Sequence, residues 1–108
     1  MANTFKSYGA AAVGTGDTSV YTVPASTQAV ILGITVANIV SATVNVTVKV
    51  TKGSGTYFIV KNAPVLVGSS IEVIGNGSKF VAEAADIIKV ASDTASSVDA
   101  VVSLLEIA

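Results

Sequence analysis

The chain has no histidine, cysteine, tryptophan or arginine among its 108 residues, and only two prolines. Without cysteine there are no disulfides and no thiolate metal sites, so cysteine usage says nothing about redox compartment. Without histidine the chain lacks the side chain that titrates near neutrality and the commonest nitrogen ligand for metals. Without arginine it lacks the planar fork that grips phosphates and guanine edges. Charge of either sign is scarce: DEKR residues make up 12% of the chain, about half the usual share. Six lysines (Lys6, Lys49, Lys52, Lys61, Lys79, Lys89) face seven dispersed acids, a net charge of −1 that gives no basic patch for a nucleic-acid backbone. Long apolar runs are missing too. The longest, Ala29 to Val40, is shorter than the roughly 20 residues of a membrane span and contains Thr35 and Asn38. The start, Met1 to Lys6, lacks the charged and then apolar layout of a signal peptide.

What the chain has instead is β-branched residues: nineteen valines, nine isoleucines and eleven threonines. These side chains lose rotamer freedom in helices and suit a pleated surface. The clearest strand is Thr43 to Thr51, where Val44, Val46, Val48 and Val50 alternate strictly with polar residues and are expected to face the core. Further strands are read at Thr18 to Val23, Gln28 to Ile39, Tyr57 to Lys61, Val65 to Val67, Ile71 to Ile74, Asp86 to Ala91 and Val98 to Ile107. Turns are read at Pro24-Ala25-Ser26, Lys52-Gly53-Ser54-Gly55, Gly75-Asn76-Gly77-Ser78 and Ser92-Asp93-Thr94-Ala95. Turn signals at intervals of roughly 8 to 12 residues predict an all-β antiparallel sandwich of about eight strands, jelly-roll-like or immunoglobulin-like. Phe80, Ala84, Ile87, Ile88 and Ala91 also fit a helical stripe, so one short helical turn near Ala82 to Ala85 is an alternative there. Residues 17–108 form one domain in this reading, preceded by an N-terminal arm or edge strand over 1–16, rich in Ala and Gly with Phe5 and Tyr8 as its large side chains.

Two strands are apolar on both faces. In Gln28 to Ile39, Val30, Leu32, Ile34 and Val36 line one face and Ala29, Ile31, Ala37 and Ile39 the other. In Val98 to Ile107, Val98, Ala100, Val102 and Leu104 form an inner face, with Val101, Leu105 and Ile107 opposite. A sandwich in water needs one apolar face per strand. The second face is either covered by a loop or by the arm, or it meets a neighbouring subunit. With 51% of its residues hydrophobic, the chain has more apolar surface than one small core absorbs. Phe5, Tyr8, Ile31, Ile39, Val101, Leu105 and Ile107 are therefore the candidate interface residues of a homo-oligomer, with a trimer favoured, and the arm is a candidate for strand addition to a neighbour.

Catalytic chemistry finds no foothold. Serines are plentiful, but no histidine stands beside one and no lysine is marked as a base. Glu83 and Asp86 are the closest acid pair and read as a solvated turn. Asp93 and Asp99 lie near loop serines without the spacing of a calcium loop. Gly14-Thr15-Gly16-Asp17 lacks the Gly-Lys-Thr/Ser of a phosphate loop and reads as a glycine-rich turn. Tyr8, Tyr21 and Tyr57 suit packing better than a sugar-binding face, with no tryptophan to support one. The expectation is a non-enzymatic protein without cofactor or metal.

Tyr21-Thr22-Val23-Pro24-Ala25, then an apolar strand ending in Ala37-Asn38, resembles the opening of many small structural proteins of tailed bacteriophages. Val60-Lys61-Asn62-Ala63-Pro64-Val65, Val67-Gly68-Ser69-Ser70, Ser97-Val98-Asp99 and the closing Leu105-Glu106-Ile107 are similar to the same group. The likeness spans about residues 17–107. It departs at Ala85-Asp86, where such proteins usually carry Gly-Asp before the penultimate strand. The resemblance implies a virion component assembled in the host cytoplasm: a head decoration (cement) subunit, or a tail, neck or fibre-associated one. Its partners would be its own copies and the major capsid protein or tail proteins. Low charge, two-faced strands and the arm fit the cement subunit. A host-surface adhesion module and a cellular lectin-like or pilus-like module are the alternatives from other classes.

Overall fold

A computed structural model describes residues 3–74 and 79–108. Nine strands form among them, and no helix: β1 (Asn3–Val13), β2 (Thr18–Thr22), β3 (Gln28–Asn38), β4 (Val44–Lys52), β5 (Gly55–Val65), β6 (Ser70–Ile74), β7 (Phe80–Ala82), β8 (Ile87–Ser92) and β9 (Val98–Ile107). One sheet has the order β1-β9-β3-β6, with β7 also paired to β3; the other has the order β2-β8-β4-β5. All pairings are antiparallel. This order is that of a jelly roll, two Greek keys folded into facing sheets. It decides between the two sandwich types expected. Within the 1–16 segment an edge strand forms, β1, while Val65 closes β5, so no separate strand forms over Val65 to Val67. The far edge of the first sheet is made in two pieces, β6 along Ile34 to Ala37 and β7 along Ala29 to Ile31. The Gly75-Asn76-Gly77-Ser78 reversal lies outside the described residues.

The alternation in β4 sets the core. Val44, Val46, Val48 and Val50 are all buried, as their spacing requires. Across the interior, Ile31, Ile34 and Val36 of β3 and Val98, Ala100, Val102 and Leu104 of β9 join them. The inner face of β9 is as expected. β3 differs. A register shift between Ile31 and Gly33 places an extra residue, Leu32, against β9. Such a bulge reverses the side-chain phase, so Ala29 and Ile31 point inward before it and Ile34 and Val36 inward after it. Ile31 is fully buried and is no interface residue. A lysine there would strand an unpaired ammonium in the core.

Local chemistry explains the punctuation. Gly53 takes φ +57° in the two-residue turn that joins β4 to β5 with Lys52 opposite Gly55. Asn38 ends β3 with its side chain serving three backbone groups: Nδ2 donates to Ala42 and Val65 carbonyls at 2.8 and 3.0 Å, and Oδ1 accepts from the Val40 N–H at 2.8 Å. A buried amide so satisfied fixes where the chain leaves one sheet for the other. The segment that also suited a helix is instead a turn from Glu83 to Asp86, closed by an Asp86 N–H to Glu83 carbonyl bond of 3.0 Å. Ala85 sits at φ 71°, the third position of a type II turn, which usually takes glycine. The Ala-Asp step therefore adopts the geometry that Gly-Asp would.

Val46 is fully buried, while Thr47 on the opposite face is only half-buried. Val46→Asp should lower stability by several kcal/mol, enough to unfold much of a domain stable by about 5 to 15 kcal/mol. Thr47→Asp should lower it far less. Urea denaturation of the two variants checks the register; equal midpoints would place it off by one residue.

Candidate interaction surfaces

The outer face of the five-stranded sheet carries an apolar row. Phe5 of β1 lies opposite Leu105 of β9, Leu105 opposite Val30 of β3, and Val30 opposite Val81 of β7. Residues directly opposite in antiparallel strands share a face, so four strands contribute one side chain each to a single line. Phe5 is 75% exposed and Val81 57%, while Leu105 and Val30 between them are half-buried. Val101, 47% exposed, and half-buried Ile107 extend the surface along β9. Of the seven candidate interface residues, Phe5, Val101, Leu105 and Ile107 are thus brought together on one face. Ile39 is exposed just beyond β3, in the loop where its N–H donates to the Ser97 carbonyl. Val30 and Val81 were not among the candidates. The bulge at Leu32 turns Val30 outward, and no period in a three-residue strand marks Val81.

Tyr8 belongs to the other side of β1. Its ring stacks obliquely on Tyr21, centroids 4.9 Å apart. Tyr21 donates its hydroxyl proton to Glu106 at 2.6 Å, and the second carboxylate oxygen of Glu106 lies 3.0 Å from the Lys6 ammonium. Glu106 is buried in the inner row of β9, where every other member is apolar. Two partners, one from β1 and one from β2, make its charge tolerable there. The hydrogen bond from Tyr21, and then the one from Lys6, hold its carboxyl below the usual range. Burial pushes the Tyr21 hydroxyl upward, reinforced by Glu106, so it remains a donor. The cluster pins β1 onto the sandwich.

The four-stranded sheet shows a different outer face. Phe58 of β5 is half exposed, and the Lys49 and Lys61 ammonium groups lie 5.6 and 5.0 Å from its ring centre. Lys89 stands directly opposite Lys49 on β8, and Asp17 holds Lys49 at 2.7 Å. Lysines that are scattered in sequence are gathered here by pairing. Beside them runs a shallow groove of about 260 Å³ lined in part by Asn45, Thr47, Asn62 and Asp93. The Asp93 carboxyl is held low chiefly by the Asn45 backbone N–H, and the Asn45 side-chain amide binds it as well. These groups satisfy one another, and the face is polar.

The closest acid pair is only half solvated. Glu83 is exposed, but Asp86 is buried, accepting from the Glu83 N–H at 2.9 Å and from Lys52. Asp99 accepts from the Ala12 N–H at 2.8 Å, which ties the end of β1 rather than forming a pair with Asp93. Gly14 to Asp17 joins β1 to β2 without opening a helix. Among the described residues no three acidic side chains gather closely enough to hold a metal ion, and no helix is long and apolar enough to cross a membrane. No protein-family model matches the sequence, and no curated protein matches it.

Because the carboxyl of Glu106 is held low only in the folded chain, its contribution to stability is complete above about pH 4.3, the ordinary glutamate value. It is lost as the pH falls through the lower, folded-state value. Stability of the wild type should therefore decline through that acid range, and Glu106→Gln should remove part of the slope. Urea midpoints of both proteins between neutral and acid pH make the comparison; parallel curves would show that the carboxylate is not so held.

Proposed function

We propose that the chain is a non-enzymatic structural subunit of a tailed-phage virion, a capsid decoration (cement) protein that binds the head shell and its own neighbours. The observation that carries the reading is the apolar row of Phe5, Leu105, Val30 and Val81 on the outer face of the five-stranded sheet. Contiguous apolar surface on a small protein marks an interaction site, and a virion supplies many identical neighbours. The absence of histidine, cysteine and arginine and the internal pairing of Asp86, Asp93 and Glu106 argue on the same side, since the polar groups are spent on structure. The phage-like segments quoted above point to the setting. The jelly roll alone does not choose, because capsid and lectin domains share it. A tail, neck or fibre-associated subunit would use the same face against a different neighbour. An adhesion module gains nothing from Phe58, whose ring already has two ammonium groups near it.

Val101→Lys and Leu105→Lys test the reading. Both side chains lie on the outer face, so the variants should melt within a few degrees of the wild type. Binding to shells or tails of the cognate particle should fall about tenfold or more, because a lysine meets water in the free subunit and a dry partner in the assembly. Co-sedimentation with particles measures it. Unchanged binding by both variants would remove the outer face from the assembly.

A further inference from the structure

The strand edges of this sandwich are not equivalent. β5 ends the four-stranded sheet, and its pairing with β4 shifts register twice, between Val46 and Val48 and between Val48 and Lys49. Asn62 on β5 sits at φ 55°, and Pro64 has no N–H to offer. Bulges, proline and lysine are the devices by which a sheet edge avoids recruiting another strand. β2 has five residues and a register shift between Ser19 and Tyr21. The far edge of the other sheet is divided between β6, of five residues, and β7, of three.

Apart from one lysine, β1 has none of these protections along most of its length. From Asn3 to Ala10 it steps with β9 residue for residue, and the shift comes only between Ala10 and Val13. Every residue from Asn3 to Gly9 is exposed. The one charge on the strand, Lys6, is turned inward and bonded to Glu106 at 3.0 Å. An extended, regular strand in this state presents a row of backbone donors and acceptors with no partner in the sheet.

We infer that β1 pairs antiparallel with β1 of a second copy across a two-fold axis, with Ser7 opposite the partner's Ser7. Side-chain chemistry selects this register. It sets Phe5 opposite the partner's Gly9 on the outer face, where the ring covers backbone that glycine leaves bare. On the inner face it sets Lys6 opposite the partner's Tyr8, an ammonium against an aromatic ring. Each contact occurs twice, and the pairing runs from Thr4 to Ala10, short of the bulge. Moving the axis to Lys6 would bring two ammonium groups face to face, which is unfavourable. Moving it to Phe5 shortens the overlap and leaves Gly9 unpaired. The dimer joins two five-stranded sheets into one and aligns their apolar rows on a common surface. It is two-fold where the sequence alone favoured a trimer. The inference deepens the reading of the chain as an assembly subunit, on which it rests, by naming one partner as a second copy and the edge as the contact.

The full chain in solution provides the test. Sedimentation equilibrium should show a reversible wild-type dimer, weakened about tenfold or more in Ser7→Lys, which places two cations at the axis. Ser7 is exposed, so this variant should melt like the wild type. Val81→Lys, on the outer face at the opposite edge of the sheet, should dimerise unchanged. The chain contains no cysteine, so Ser7→Cys should give a single disulfide-linked dimer on mild oxidation. Thr4→Cys, opposite the partner's Ala10, should not. A wild type that stays monomeric, an undiminished Ser7→Lys dimer, or equal cross-linking at positions 4 and 7 would each overturn the pairing. A dimer abolished by Val81→Lys but not by Ser7→Lys would overturn it as well, moving the self-contact to the outer face. Loss of particle binding alone in Val81→Lys would leave the edge pairing standing.

Discussion

Between the two sheets lies a layer of short side chains: Val46, Val48 and Val90 from one, Ile31, Ile34, Val36, Val102 and Leu104 from the other. Most are β-branched, with one preferred rotamer and little freedom to lose on burial. They are also too short to reach across a misplaced strand. Each strand must deliver alternate residues at the right depth, and a slip of one position would turn its whole set outward. The bulge at Leu32 follows from that demand. β3 can place Ala29 and Ile31 at one end and Ile34 and Val36 at the other against the same interior only by inserting a residue between them. The same insertion turns Val30 outward and so builds the apolar row.

Where period-two alternation runs unbroken, the sequence is a faithful guide. Val44 to Val50 and Val98 to Leu104 lie inside as their spacing demands, and Phe5, Val101, Leu105 and Ile107 lie outside. The guide fails where the backbone departs from regular pleating. Ile31 was placed on the wrong face because alternation carries no mark of a bulge. β5 extends well past Lys61 because its two register shifts scramble the pattern that would reveal it. β1 has almost no apolar period, since its strand character comes from pairing with β9 rather than from burying a face. Glu106 is joined to Tyr21 across 85 positions of sequence, and nothing local at either residue announces the bond. The lysines around Phe58 are likewise a product of pairing, not of proximity along the chain.

The result is a thin module with two unlike sides. One outer face is lined with Phe5, Leu105, Val30 and Val81; the other carries Lys49, Lys61, Lys89 and Asp17. The two sides are unequally suited to burial, because covering the charged one would strip water from several ammonium groups. Its edges are unlike too, one regular and the others bulged or short. Faces and edges together restrict the number of ways in which identical copies can meet.

The pairing of β1 with β9 also fixes when the protein can finish folding. β9 is the last of the nine strands along the chain, yet it lies between β1 and β3 in the middle of its sheet. As the chain emerges during synthesis, β1 has no neighbour to accept it, and β3 lacks one of its two sides, until β9 arrives. Glu106, the residue that secures both Lys6 and Tyr21, arrives with it. Such contacts between distant parts of the sequence form slowly, and the strands awaiting them are exposed to the wrong partners in the meantime. The nascent chain is therefore most vulnerable to aggregation just before β9 is delivered.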